Sequence, residues 1–233
     1  METEDTLGVV LVTGGASGLG LATVRAVAAA GGTPVVLDRV PPPDEDVDFE
    51  LIDLSRTREA EEALRRVAAN HGGVRGVVTA AGMDTPAKLG DLPGEEWERI
   101  VAVNLFGTAA VIRAALPSLE EAGGRVVTVA STLGFSAVSD ATAYCASKFG
   151  VVGFTRALTA ELAGRVGVTL LVPGGMHTPF FDARDEQYKP GPDAKLNRPE
   201  DVARTVVFAL RQPAGCEIRE LVVTHATEGS WPP

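Results

Sequence analysis

Basic residues are in short supply: 21 Lys and Arg stand against 31 Asp and Glu, a formal net charge of −10 at pH 7. A surface so charged repels a phosphate backbone and anionic lipid, which argues against nucleic acid and membranes as partners. Cysteine is scarcer still. The two present, Cys145 and Cys216, belong to no CxxC or Cys/His cluster with metal-ligand spacing, so no metal is expected and a reduced, cytoplasmic setting fits. No apolar run approaches bilayer-spanning length, and the opening residues, Met1 to Thr6, are acidic where a secretory signal is basic. The expectation is a soluble protein that stays inside the cell. A Gly-Lys-Ser/Thr triplet after a glycine-rich turn is also missing, which excludes Walker-type phosphate binding.

What is present is material for a core. The chain has 233 residues, 45% of them hydrophobic, and an α/β chain of that size commonly forms one domain, here residues 1–233. Short β-branched runs alternate with longer helical patterns, the pattern of βαβ units feeding a parallel sheet. Strands are predicted at Gly8 to Thr13, Pro34 to Asp38, Val47 to Ile52, Val74 to Thr79, Arg125 to Ala130, Val166 to Val172 and Ile218 to Thr224. All seven are apolar enough to be buried on both faces. Helical spacing marks Ala60 to Ala68 and Val202 to Leu210, the latter introduced by Pro199, Glu200 and Asp201, a proline and two acids suited to a first turn. Longer helices are predicted over Glu95 to Glu121 and from Thr142 to Gly164. The segment 178–198, broken by Pro190, Gly191 and Pro192 and rich in charge, reads as a flap over a site or as a solvated loop.

After the first strand comes Thr13-Gly14-Gly15-Ala16-Ser17-Gly18-Leu19-Gly20, leading into the apolar helix Leu21 to Ala30. A strand-to-helix turn that passes close to a pyrophosphate needs glycine where a side chain would collide, and the helix N-terminus adds free N–H donors. Gly14, Gly18 and Gly20 fit that task. Asp38 ends the second strand at the spacing where an acid meets an adenosine ribose. It therefore favours NAD over NADP, a preference that Ser17 supports by leaving the loop without a base; Arg39 keeps NADP as the second choice.

Tyr144 and Lys148 stand four residues apart on one helix face. A free phenol titrates near ~10, so acting as a base at neutrality costs roughly 4 kcal/mol. One cation about 5 Å away, at an effective dielectric of about 20, supplies roughly 3 kcal/mol of it. Ser131 follows a strand on the carboxyl edge where open α/β folds bind ligands, though serine there also serves as a turn former. Asn104 lies inside a long helical stretch, where asparagine needs a local reason such as a kink or a bound water.

In order and spacing, Thr13-Gly14-x-x-x-Gly18-x-Gly20, Asn104, Ser131, Tyr144-x-x-x-Lys148 and Pro173-Gly174 resemble the short-chain dehydrogenase/reductase family over essentially the whole chain. The resemblance implies a Rossmann-like, doubly wound α/β fold with a seven-stranded parallel sheet, and an NAD(H)-dependent oxidoreductase that interconverts a secondary alcohol and a ketone. It implies Tyr144 as general acid/base and Lys148 as the residue that lowers its pKa and binds the nicotinamide ribose. Ser131 would then steady the substrate, and Asn104 would support a water relay. The cationic ring of oxidised nicotinamide would add to the lysine's effect. Cofactor contacts are implied for Gly14, Ser17, Gly18, Leu19 and Gly20, for Asp38 and Arg39, and for Asp53 and Leu54 beside the adenine. They are implied also for Ala80, Ala81 and Gly82, and for Pro173, Gly174, Met176 and Thr178 beside the carboxamide. Homo-oligomers are common among such proteins. Two features depart from the family pattern: Thr79-Ala80-Ala81-Gly82 stands where Asn-Asn-Ala-Gly is usual, and the end of the chain lacks the frequent Asp-Gly-Gly.

By position, Met83, Leu133, Phe135, Gly175, Met176, His177, Phe180 and Phe181 would line a mostly apolar substrate pocket, although a loop histidine is more often simply solvated. Trp231 would pack on a neighbouring subunit. Two rival readings are a non-catalytic NAD-binding regulator, which would have no need of Tyr144, and a sugar-nucleotide epimerase, for whose extra substrate domain the chain has no residues to spare.

Overall fold

A computed structural model describes residues 7–233; the acidic opening, Met1 to Thr6, lies outside the described residues. The strands are β1 (Val9–Thr13), β2 (Thr33–Asp38), β3 (Asp48–Leu51), β4 (Gly76–Thr79), β5 (Arg125–Val129), β6 (Gly167–Pro173) and β7 (Glu220–Val223). They form one seven-stranded sheet in the order β3-β2-β1-β4-β5-β6-β7, with every neighbouring pair parallel. The chain winds outward from β1 to β3, returns, and winds the other way from β4 to β7. That reversal opens a crevice at the carboxyl ends of β1 and β4.

Alternation along the strands feeds two cores. Leu11, Val35, Leu37, Val77, Val126 and Val168 point to one face, where they meet Leu64 of α2 (Thr57–Asn70), Ile112 and Leu119 of α4 (Thr108–Ala122) and Leu158 of α5 (Thr142–Glu161). Val10, Val12, Val36, Val78, Val127 and Leu171 point to the other, against Val24 and Val27 of α1 (Gly18–Ala29) and Val202 and Val206 of α6 (Pro199–Leu210). Each fully buried Leu or Val contributes roughly 1.5–3 kcal/mol, so both faces must be covered, which is why helices alternate with strands.

Three expectations need correction. The edge strands are not buried on both faces: Phe49 and Leu51 on β3 and Val222 on β7 are exposed, since each edge strand has only one sheet neighbour. The long helix is one run over Gly94–Ala122 but is not regular throughout. It runs as α3 (Gly94–Val101), a π-helical segment (Ala102–Gly107) and α4, which stops at Gly123 in the left-handed conformation, φ +57°. Finally, Gly94–Ala122 is by length and composition alone apolar enough to cross a membrane. Its apolar side is spent inside the fold, where Ile100, Val111, Ile112 and Leu119 are buried.

Candidate active site

The crevice at the switch between β1 and β4 is a cleft of about 530 Å³. At one end it is walled by the β1–α1 turn and the end of β2. Gly14 adopts φ +68°, and a Cβ there would come within 2.8 Å of the Ala81 Cα; at Gly20 it would come within 2.0 Å of the Gly14 carbonyl oxygen. These two glycines are therefore needed because the turn folds tightly upon itself and upon the β4 strand end, rather than only to clear a ligand as the sequence argument had it. Gly18, φ +51°, faces the Thr178 side chain. Ser17 caps α1 in extended conformation, and its hydroxyl makes no capping bond. The N–H groups of the first helical turn, at Gly18, Leu19 and Gly20, thus have no side-chain acceptor and open on the cleft. Asp38 accepts from the Ala16 N–H at 3.0 Å and from the Arg39 N–H at 2.6 Å, which pins its carboxylate at the rim of the turn. Arg39, Asp53 and Leu54 continue this wall, and Ala80, Ala81 and Gly82 form the opposite one. Free amide donors beside a fixed carboxylate suit a group carrying both phosphate and ribose, so the residues present fit a dinucleotide.

Tyr144, Lys148 and Ser131 line the same cleft further along. The first turns of α5 bring the phenol and the ammonium to one face, with Lys148 Nζ 5.6 Å from the Tyr144 ring centre and donating to the Val129 carbonyl at 2.9 Å. Ser131 lies two residues past β5 and caps a 3₁₀ turn, its Oγ accepting from the Leu133 N–H at 3.1 Å. The expected lowering of the phenol does not come from these protein groups. Burial pushes Tyr144 up to about 12, against the opposing pull of Ser131, and pushes Lys148 down to about 8. Lys148 keeps most of its charge at neutral pH and loses it as pH rises through about 8, so it is a weaker lever above that than the sequence argument assumed.

Asn104 does not line the cleft. It is buried in the π-helical segment, where Oδ1 accepts from the Met83 N–H at 2.9 Å and Nδ2 donates to the Met83 carbonyl at 2.9 Å and to Ser147 Oγ at 3.0 Å. The local reason for an asparagine in mid-helix is this clamp: widening the helix by one residue per turn turns the amide toward the β4 exit and α5. It braces the exit of β4 at Met83, two residues past Ala81, whose N–H donates to Thr13 Oγ1 at 3.0 Å.

The other end of the cleft is closed by segment 178–198, which holds two short 3₁₀ turns, Pro179–Phe181 and Glu186–Tyr188. Phe180 lies 5.8 Å from the Tyr144 ring, between ring centres, and Phe181 packs edge-on against Phe180. The segment is tied down by the Met176 to Asn197 bridge, by Tyr188 Oη donating to Asp140 at 3.0 Å and by Arg184 bonding Asp84 at 2.8 Å. Met83, Leu133, Pro173, Gly174, Gly175, Met176 and Thr178 line the cleft as expected by position. His177 does not: its N–H bonds the Asn197 carbonyl, and its side chain faces a second hollow with Lys189 and Pro190. Phe135 does not either, since it packs edge-on against Trp231 at 5.3 Å. The same contact gives Trp231 a partner within its own chain.

The family model for short chain dehydrogenases matches residues 8–189. The chain belongs to this family. Among its curated relatives is the D-beta-hydroxybutyrate dehydrogenase of Rhizobium meliloti, 30% identical, with 95% of this chain and 97% of that protein covered. Among solved structures, the ligand-free aldohexose dehydrogenase of Thermoplasma acidophilum superposes with a TM-score of 0.85 at 23% identity, covering 94% of this chain and 92% of that one. The alcohol dehydrogenase of Thermococcus sibiricus, complexed with 5-hydroxy-NADP, superposes with a TM-score of 0.83 at 24% identity, covering 95% and 97%. At those identities the two structures speak for the fold alone.

Sequence reasoning missed several residues of this short-chain dehydrogenase's cleft. Glu228 and Ser230 reach it from the end of the chain: Glu228 Oε1 accepts from the Gly175 N–H at 3.3 Å and from the Ser230 hydroxyl, and Oε2 is buried without a partner. Ser147 was passed over although it shares a helix turn with Lys148. Arg184 lines the cleft, and nothing local distinguishes it from the other charges of its segment. The one available signal was Asp84, an acid placed two residues past Gly82 at a strand exit.

Proposed function

We propose that this oxidoreductase interconverts a small secondary alcohol and its ketone with NAD(H), using Tyr144 as general acid/base. The observation that carries the reading is that Tyr144, Lys148 and Ser131 line one cleft with the glycine turn and the α1 N-terminus. Pro173, Gly174, Met176 and Thr178, which line the cleft, would hold the nicotinamide, and that group when bound would supply the carbon that gives or takes the hydride. Ser131 Oγ holds the substrate oxygen, and Tyr144 Oη gives a proton to it in reduction or takes one from it in oxidation. Lys148, fixed on the Val129 carbonyl, stands behind the phenol and faces the ribose. Asn104 acts through Met83 and Ser147 as a positioning residue. A phenol pushed to about 12 is protonated at neutral pH and ready to donate, which favours reduction there and lets oxidation gain as pH rises.

Asp38 supports NAD, because its carboxylate suits two ribose hydroxyls and repels a phosphate on one of them. The two cysteines are unpaired, Cys145 buried and Cys216 exposed, which supports a reducing cytoplasmic home, and the single sheet supports one domain over the described residues 7–233. Homo-oligomeric assembly is proposed from the family.

Tyr144→Phe tests the mechanism. It keeps the ring packed on Phe180 but removes the proton carrier, so NADH affinity stays within about twofold while turnover falls by at least ~10². Equal turnover in the two proteins rejects the reading.

A further inference from the structure

We infer that the substrate carries a carboxylate, received by Arg184, so that the alcohol and ketone of the proposed reaction are a short hydroxy acid and its oxo acid. This rests on the hydride-transfer reading and narrows its substrate.

Around Tyr144 the cleft wall is apolar, made by Met83, Leu133, Phe180 and Phe181. Two of the other charged side chains lining the cleft near its middle are already engaged with the backbone on the cofactor side: Lys148 with the Val129 carbonyl and Glu228 with the Gly175 N–H. Arg184 is the charge left on the substrate side. Its side chain is 13% exposed, and its Cζ lies 4.8 Å from the centres of both Phe180 and Phe181, so the two rings cover the guanidinium and fix its plane. Behind it, Asp84 is 4% exposed and does not line the cleft. A ligand therefore meets the guanidinium and not the acid.

Donor supply and demand do not match at Arg184. A guanidinium has five N–H donors and accepts nothing. Among the described residues, Nη2 bonds Asp84 at 2.8 Å, Nε is buried with no partner, and Nη1, neither bonded nor buried, is the donor left for a ligand. A pair kept only for structure would be expected to fill its donors, since an ion withdrawn from water must recover its lost hydration in hydrogen bonds. Here burial holds the Asp84 carboxyl above and the Arg184 guanidinium below their ordinary pKa ranges, as for two ions that do not fully compensate each other. A donor-only group in an apolar wall selects an acceptor-only partner, and the planar fork fits a carboxylate best. Because Tyr144 and Arg184 both pack on Phe180, a chain of a few carbons suffices to put a carbinol at the phenol and a carboxylate at the guanidinium. In oxidation, which needs Tyr144 as the phenolate, the carbinol carbon would give its hydride to oxidised nicotinamide and its oxygen would give its proton to that phenolate, leaving the carboxylate unchanged.

The test uses the full chain with NAD⁺ and a panel of short α-, β- and γ-hydroxy acids, each paired with its methyl ester. At least one acid should exceed its ester in kcat/KM by about tenfold or more, and Arg184→Met should collapse that ratio, mainly through the KM of the acid. Esters that match or beat every acid, or an Arg184→Met protein with an unaltered ratio, overturn the inference while hydride transfer stands. Loss of the whole panel, esters included, overturns both. Should Arg184→Met fail to fold, butyrate and butyramide are compared as inhibitors of the unaltered enzyme. Stronger inhibition by butyrate supports the carboxylate site, and equal inhibition overturns it.

Discussion

Asp38 reaches back 22 residues to the Ala16 N–H, whereas Arg184 crosses 100 residues to Asp84 and Ser230 crosses 98 to Thr132. The glycine-turn wall at the cofactor end of the cleft is thus built from one βαβ unit, largely from backbone. The substrate end is assembled from four distant segments through side chains. The difference predicts where substitutions hurt. A backbone-built wall fails when a side chain is added to it, and a wall of side chains fails when one is taken away.

The largest effect should come from crowding the first wall. Gly14→Val places a β-branched residue at φ +68° and drives its Cβ to within 2.8 Å of the Ala81 Cα. Strain and displacement together should cost about 4 kcal/mol or more, seen as a lower melting temperature and weakened NADH binding. Gly191→Ala, in the substrate-side segment with open space around it, should change stability by less than about 0.5 kcal/mol. Equal losses from the two substitutions would erase the contrast.

The same contrast explains what could be read from the sequence. The glycine turn, Asp38 and the Tyr144 to Lys148 spacing were legible because each is set within one element or between adjacent ones. The five inner strands were legible for the same reason, since burial on both faces leaves an unbroken apolar run. Asn104 was marked as the place for a local irregularity, but its π-helical form was not legible, because its cause is a clamp on Met83 and Ser147 across two other elements. Arg184 looked like one more surface charge until Asp84 and the two phenylalanines were placed around it; Phe135 was misplaced because position after a strand does not decide which way a side chain turns, and His177 is exposed, as the solvated alternative had it.

Lys148 lies where the two ends meet, and its titration sharpens the comparison. Its pKa falls from 10.5 unfolded to about 8 folded, so between those values the unfolded chain holds a proton that the folded one has released. Stability must therefore rise with pH across that window, by roughly 3 kcal/mol in total. Below about 8 the buried ammonium costs the fold its full desolvation. Tyr144, raised to about 12, acts with the opposite sign but only above pH 10. Lys148→Met should remove this rise, leaving whatever slope the other groups give, in denaturant unfolding followed from pH 7 to pH 10. Identical slopes in the two proteins would show that the ammonium is not held out of water.

The smallest effect tests whether cofactor choice belongs wholly to the local end. Removing the Asp38 carboxylate takes away its repulsion of a 2′-phosphate and its bonds to ribose hydroxyls, and it frees the Ala16 and Arg39 N–H groups to face an anion instead. Asp38→Ala should therefore weaken NADH and strengthen NADPH, narrowing the preference by about tenfold, near 1.4 kcal/mol. Fluorescence titration with the two reduced cofactors measures it directly. Tighter NADPH binding by the unaltered protein would mean that Arg39, on the same rim of the cleft, outweighs the acid. The local end would then read charge and not hydroxyl geometry.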